Sequence, residues 1–286
     1  MKKILITLLV FMLTTTAFGF PSANNYRTTF GNGYAWSGHI PKDRALLWSQ
    51  GIEGATVVGG QLGTGKVFYV DSGVSTEGNG TSWETAFDTL DEAINAISAD
   101  SGANRGDFIL VAQGHTEDIT ASSVDVDVAG LSIIGMGRGS LKPQFVWEVA
   151  TGTFDVDAAN ILLKNLRFVP SVTEVVSGVA ISANGDFAQV IGCDFGFAEL
   201  SGTDEFDTAL SIAGGAQEVL VDSCFFHAEA AGAGEAIYLG TVSGVSIKNN
   251  EIYGDYATGC IVNVGTADDV RLVRNILFNG TIEIIN

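Results

Sequence analysis

Ile161-Leu-Leu-Lys-Asn-Leu166-Arg-Phe168, Ala188-Gln-Val-Ile-Gly-Cys193-Asp-Phe195, Val219-Leu-Val-Asp-Ser-Cys224-Phe-Phe226 and Val245-Ser-Ile-Lys-Asn-Asn250-Glu-Ile252 are four copies of one pattern. Each reads apolar-x-apolar-x-x, then Leu, Cys or Asn, then x and a large apolar residue. Leu131-Ser-Ile133 begins the series and Val270-Arg-Leu272 with Asn275 and Leu277 extends it, at spacings of 30, 27, 31, 26 and 25 residues. A second short strand precedes each copy: Val126–Val128, Phe154–Val156, Val179–Ile181, Leu210–Ile212, Ile237–Leu239 and Ile261–Val264. Two or three short strands recurring every 20 to 50 residues or so mark a solenoid, whose units bury their apolar faces only by stacking.

The residue types choose among solenoids. A leucine-rich array needs Leu at fixed positions and a helical segment, and helical arrays need a 3.6-residue period; neither is present. Alternating β-branched strands joined by Gly, Asn and Asp turns predict an all-β parallel β-helix, with equivalent residues stacked about 4.8 Å apart in ladders. Leu166, Cys193 and Cys224 form the expected inward ladder, and Asn249 or Asn250 over Asn275 a turn ladder. About seven turns give a stem on the order of 35 Å long.

Upstream the pattern changes. Val67–Val70 reads as a strand, followed by a polar loop over 71–80. Thr81 and Glu84 read as a capping box opening a helix over Trp83–Ala99, with Phe87, Leu90, Ile94 and Ile97 on its buried face. Residues 20–65, rich in Gly, Asn, Ser and Thr, read as an irregular arm with one helix-like piece over 42–50. Gly60 to Lys66 has phosphate-loop spacing, but Val67 stands where the hydroxyl residue is needed and a strand follows, so it reads as a glycine-rich linker. The first 19 residues combine Lys2 and Lys3, an apolar run over Ile4–Leu13, and small residues at Ala17 and Gly19, which predicts a secretory signal peptide. That places the protein outside the cell or on its surface, with the periplasm as the other destination. The apolar run is shorter than the roughly 20 residues a membrane span needs, so no membrane insertion of the mature form is expected.

The composition sets limits. Of 286 residues only 16% are charged, 36 are Gly and 46% are hydrophobic, which excludes a disordered chain and supplies a core. The net charge of −19 excludes a nucleic-acid binder, whose footprint would be basic. Three cysteines, Cys193, Cys224 and Cys260, are too few for a disulfide scaffold.

Val67-Phe-Tyr-Val-Asp71 with its Asn/Gly-rich loop, the helix that follows, Gly106-Asp-Phe-Ile-Leu-Val-Ala-Gln-Gly-His115-Thr-Glu117 and then the repeats resemble the right-handed parallel β-helix proteins of the pectin-lyase-like superfamily, over residues 66–286. The resemblance implies that the helix plugs the N-terminal end of the core. It also implies a choice of roles, since the superfamily holds polysaccharide lyases and hydrolases, phage tail spikes, virion-attached proteins and adhesins.

Candidate chemistry is sparse. Lyase-type elimination needs a calcium-holding carboxylate cluster with a basic Arg or Lys, and the hydrolase type needs several Asp, a Gly-His-Gly and an Arg-x-Lys. Asp268 and Asp269 with Arg271 come nearest; the histidines are His39, His115 and His227, and neither motif is present. Asp125 and Asp127, and thirty residues on Asp155 and Asp157, alternate with valines and predict an outward carboxylate stack, either solvated or bridged by calcium. Arg167 and Asp194, and Asp222 and Lys248, share outward positions in successive copies and predict cross-turn ion pairs. Tyr238, Tyr253 and Tyr256 are candidate surfaces for stacking on sugar rings. The tail Gly280–Asn286 predicts an unprotected last turn and homo-oligomers through it.

The sequence therefore predicts an exported, non-catalytic surface, matrix or virion-associated module with a polysaccharide or cell-surface glycan as partner. The alternative is a polysaccharide lyase or glycoside hydrolase acting on an acidic glycan.

Overall fold

Alternation of apolar and polar residues turns each copy of the repeat into strands of two to seven residues, and in the computed structural model these stack into three parallel sheets. The structure describes residues 56–58, 61–63, 65–120, 124–196, 204–229, 232–278 and 282–284. The chain divides into two units, 1–64 and 65–286. Within the first, Thr56–Val58 pairs antiparallel with Gln61–Gly63. Because Gln61–Gly63 and Val67–Val70 are both strands, the glycine-rich segment between them opens no helix. The signal peptide, most of the N-terminal arm and its helix-like piece lie outside the described residues.

The second unit is a parallel β-helix. Its first sheet holds Val67–Val70, Phe108–Val111, Ser132–Gly135, Leu162–Lys164, Gln189–Ile191, Leu220–Asp222, Ser246–Lys248 and Arg271–Val273 in spatial order. The second holds Thr116–Ile119, Gln144–Trp147, Arg167–Pro170, Asp194–Phe195, Phe225–Ala228, Glu251–Gly254 and Ile276–Phe278. The third holds Val124–Val126, Phe154–Val156, Val175–Ile181, Phe206–Ile212, Glu235–Leu239, Gly259–Asn263 and Ile282–Ile284. Each coil visits the three sheets in turn, so register alone aligns equivalent side chains along the axis.

Two corners are set by single residues in the left-handed region. Gly106, Gly130, Asn160, Phe187, Glu218, Gly244 and Asp269, each two positions before a strand of the first sheet, all have φ between 53° and 80°. Asn165, Gly192, Ser223, Asn249 and Arg274, joining the first sheet to the second, have φ between 52° and 61°. One such residue reverses the chain without a loop, at a steric cost of about 1–2 kcal/mol where a side chain is present.

The next residue points inward and builds one continuous ladder: Leu166, Cys193, Cys224, Asn250, Asn275. The three cysteines are buried and free. Asn250 is buried too, and its amide substitutes for a piece of backbone: Oδ1 accepts from Cys224 N at 2.8 Å and Nδ2 donates to Val221 O at 3.1 Å. Asn275 repeats this one coil on, accepting from Asn250 N and donating to Ile247 O. The expected cysteine and asparagine ladders are thus one ladder, and its asparagines are Asn250 and Asn275.

The second sheet supplies an inward aromatic stack. Phe145, Phe168, Phe195 and Phe226 are fully buried, with successive ring centroids 5.9, 4.9 and 4.6 Å apart. The same inward row begins, at its N-terminal end, with Glu117, in register with Phe145.

The helix expected over Trp83–Ala99 is shorter. Trp83–Thr85 is a single 3-10 turn, and the α-helix is Leu90–Ala99, capped by Thr89 and Glu92 and not by Thr81 and Glu84. Phe87 breaks it: its N–H donates to Tyr69 O and its carbonyl accepts from Asp71 N, making a bridge to the first strand that helical backbone cannot make. Leu90, Ala93, Ile94 and Ile97 are buried in the core, against the strands at its N-terminal end. Replacing Leu90 by Ala should lower the unfolding free energy by about 3 kcal/mol, measured in urea, because the plug cannot collapse onto a rigid strand end. A loss below about 0.5 kcal/mol would show that the helix does not seal the core.

Candidate functional site

The outer face of the second sheet changes character along the axis. In the early coils its outward positions are polar or aliphatic: Gln144 and Arg167, Val146 and Val169. In the last three coils they become aromatic. Phe225, Glu251 and Ile276 stand in register in one row, and His227, Tyr253 and Phe278 in the next. Tyr253 and Phe278 stack at 4.2 Å with planes 18° apart, and Phe225 lies 6.1 Å from Tyr253. Tyr253 is 36% exposed, Phe278 42% and Ile276 52%, so this is an apolar surface held open to solvent by the sheet beneath it. The His227 ring lies 6.1 Å from Phe225, and its Nδ1 is sealed from solvent with no hydrogen-bond partner among the described residues.

One coil earlier the face carries Asp194, whose carboxylate is occupied. Lys142 Nζ donates to Oδ1 at 2.8 Å and to Gly192 O at 2.9 Å, and Arg167 reaches Oδ2 at 3.5 Å while donating to Gly139 O. The cross-turn pair Arg167–Asp194 therefore forms, but Arg167 is 6% exposed, buried beneath the turn over Gly139–Leu141, where a surface pair was expected. Asp222–Lys248 forms at 3.4 Å on the first sheet, and there the partners are partly exposed. An acid held by two cations offers little as a proton acceptor.

The other candidates are scattered. Asp268 pairs with Ser243 in a small two-stranded sheet, Asp269 is one of the left-handed corner residues, and Arg271 begins the last strand of the first sheet. All three are exposed, and no ion pair links them among the described residues. Asp269 also borders a cavity of about 240 Å³ inside the last coil, lined chiefly by Leu239, Ile261, Val270 and Leu272.

Asp125 and Asp155 are in register on the outside of the third sheet, as the alternation requires. Burial and then the neighbouring carboxylates of Asp157, Asp127 and Asp155 raise the Asp125 pKa, and burial followed by Asp157 raises that of Asp155, against the Thr153 hydroxyl that donates to it. These four acids do not converge: among the described residues the group with three carboxylates mutually within 4.8 Å is Glu77, Asp88 and Glu92. Glu92 is already engaged as the helix cap, accepting from Thr89 Oγ1 at 2.9 Å, and burial raises its pKa first, with Asp88 adding to the effect.

The three tyrosines are not brought together. Tyr238 lies on the outside of the third sheet, in register with Ser211 and Val262. Tyr256 is 8% exposed, packed in the core, with its phenol pushed well above the usual range by burial. Tyr253 alone stands in the aromatic face, and its companions Phe225, His227, Ile276 and Phe278 are the residues that sequence reasoning missed. The signal was present: in Phe225-Phe226-His227 and Ile276-Leu277-Phe278 the residues flanking the inward one are also large and apolar or aromatic, so apolar character sits on both sides of the strand.

No protein-family model matches the sequence, and no curated protein matches it. Two solved structures are similar in fold. A proposed glycosyl hydrolase from Parabacteroides merdae is 13% identical with a TM-score of 0.40, the match covering 77% of this chain and 100% of that one. A rhamnogalacturonan lyase is 14% identical with a TM-score of 0.42, the match covering 77% of this chain and 66% of that one.

Proposed function

We propose that this chain is an exported, non-catalytic surface or matrix module that binds a polysaccharide or cell-surface glycan through the outer face of its second sheet. The observation that carries this reading is the ring row Phe225, Tyr253 and Phe278, held by three stacked strands and left open to water. Sugar rings present C–H faces that stack on aromatic faces, and rings fixed on a sheet lose little freedom on binding. Acid–base cleavage would need a free carboxylate positioned as a base, or two flanking a bond. Beside the rings stand Glu251, His227 and the clamped Asp194, which support holding a glycan more readily than cutting it.

A glycan array probed with residues 20–286, run beside reducing-end and unsaturated-uronide assays, tests this. The expected result is retention on at least one polysaccharide without turnover. A Tyr253→Ala/Phe278→Ala variant should weaken that retention about 30-fold or more, the cost of roughly 2 kcal/mol for losing an aromatic anchor, with thermal unfolding little changed. Turnover that disappears in an Asp268→Ala/Asp269→Ala variant would overturn the reading in favour of an enzyme.

A further inference from the structure

We infer that the polymer bound at the aromatic face carries protonated amines, as a glucosamine-rich chain does, and lies along the solenoid axis. This rests on the glycan-binding reading above and adds the ligand's charge and direction.

Direction follows from register. The rows Phe225–Glu251–Ile276 and His227–Tyr253–Phe278 each cross three consecutive coils, so they run across the strands and along the axis. An extended ligand touching all the rings has to follow them.

Charge follows from what borders the rows. Glu251 stands within the face, exposed between Phe225 and Ile276. Two residues past His227 the chain carries Glu229, and two past Tyr253 it carries Asp255, both exposed. The same margin carries Glu148, Glu174 and Asp204 in other coils. No Lys or Arg occurs in any segment joining the second sheet to the third, 120–123, 148–153, 171–174, 196–205, 229–234 and 255–258. Basic residues lie on the opposite margin, at Arg138, Lys142 and Arg274, and Lys142 is spent on Asp194.

A polyuronate laid here would meet this acidic margin on a chain of net charge −19. A protonated amine gains on three counts: attraction to Glu229, Glu251 and Asp255, cation–π contact with the rings, and long-range steering by the whole chain. An amino sugar joins that charge to an apolar ring face, which is the combination the surface offers.

Calorimetric titration of residues 20–286 with glucosamine hexamer, N-acetylglucosamine hexamer, hexagalacturonate and hexalysine, at a pH where the amines are protonated, tests the inference. The glucosamine hexamer should bind about tenfold more tightly than its acetylated form, the effect of two or three exposed ion pairs, and salt should shrink the difference. A Glu229→Gln/Glu251→Gln/Asp255→Asn variant should abolish the difference while leaving the acetylated hexamer's affinity unchanged. Equal affinities for the two hexamers, or preference for hexagalacturonate, would overturn this inference and leave glycan binding standing. Hexalysine binding as tightly as the glucosamine hexamer, with no loss in Tyr253→Ala/Phe278→Ala, would overturn it by showing a bare acidic surface. Failure of all three sugars would count against the glycan-binding reading itself.

Discussion

Replacing Glu117 by Ala should cost about 3–5 kcal/mol of unfolding free energy, the loss expected when one partner is removed from a buried charged network. Glu117 occupies the first inward position of the row that continues as Phe145, Phe168, Phe195 and Phe226, directly beneath the start of the plug helix. Its Oε2 accepts from Leu90 N at 2.8 Å, one of the helix's unpaired first-turn donors, and from His115 Nε2 at 3.2 Å. The tautomer is set by the other ring nitrogen: His115 Nδ1 accepts from Ser72 N at 3.0 Å, so Nε2 carries the proton. The carboxylate also faces the positive end of the helix. Alanine would strand both donors inside the core, whereas Glu117→Gln keeps an acceptor and should lose about half as much. Urea unfolding of the two variants decides it; a loss below about 1 kcal/mol in the alanine variant would mean that water enters and solvates this end.

Phe195→Ala should be comparably severe, about 3–5 kcal/mol, with a further loss of ring contacts on both sides. Phe195 is fully buried midway in the stack, 4.9 Å from Phe168 and 4.6 Å from Phe226, on a strand of only two residues. The coils above and below are hydrogen-bonded to that strand and cannot close the gap without breaking register. Phe195→Leu refills most of the volume and should cost under about 1.5 kcal/mol. Thermal unfolding of the pair would show the contrast, and equal melting temperatures would mean that the stack has no special packing.

The architecture was legible because burial enforces it. Every inward position in the repeats had to be apolar or, like Asn250, able to replace backbone, and that requirement writes a period into the chain. Where the coil between Ile133 and Phe145 is stretched by the turn over 136–143, the period blurs and the strand Gln144–Trp147 is hard to see. The helix start was misplaced because Thr81–Glu84 and Thr89–Glu92 both satisfy a capping box; only the bridge from Phe87 to Val70, a contact between residues 17 apart, selects the second. Glu117 was opaque for the opposite reason: an acid in an alternating strand reads as outward, and its inward place depends on a helix that lies elsewhere in sequence. The aromatic face was half legible. Outward positions obey no packing rule, so Tyr253 could be suspected as a single residue but its stacking on Phe278 is a property of register between coils.

The corners of the coil differ in what they would tolerate. Between the first and second sheets, from Asn165 onward, the chain turns on one left-handed residue followed by one inward residue, so one extra amino acid there would swing every later side chain to the wrong face. Between the second and third sheets the connecting segments already differ in length, from 171–174 and 255–258 to 196–205, with the stacking unbroken. That corner borders the aromatic face. New loops can be accepted there, beside the exposed rings, with no cost to the stack, so descendants of this chain could change what the face recognises by lengthening one edge and leaving the barrel untouched.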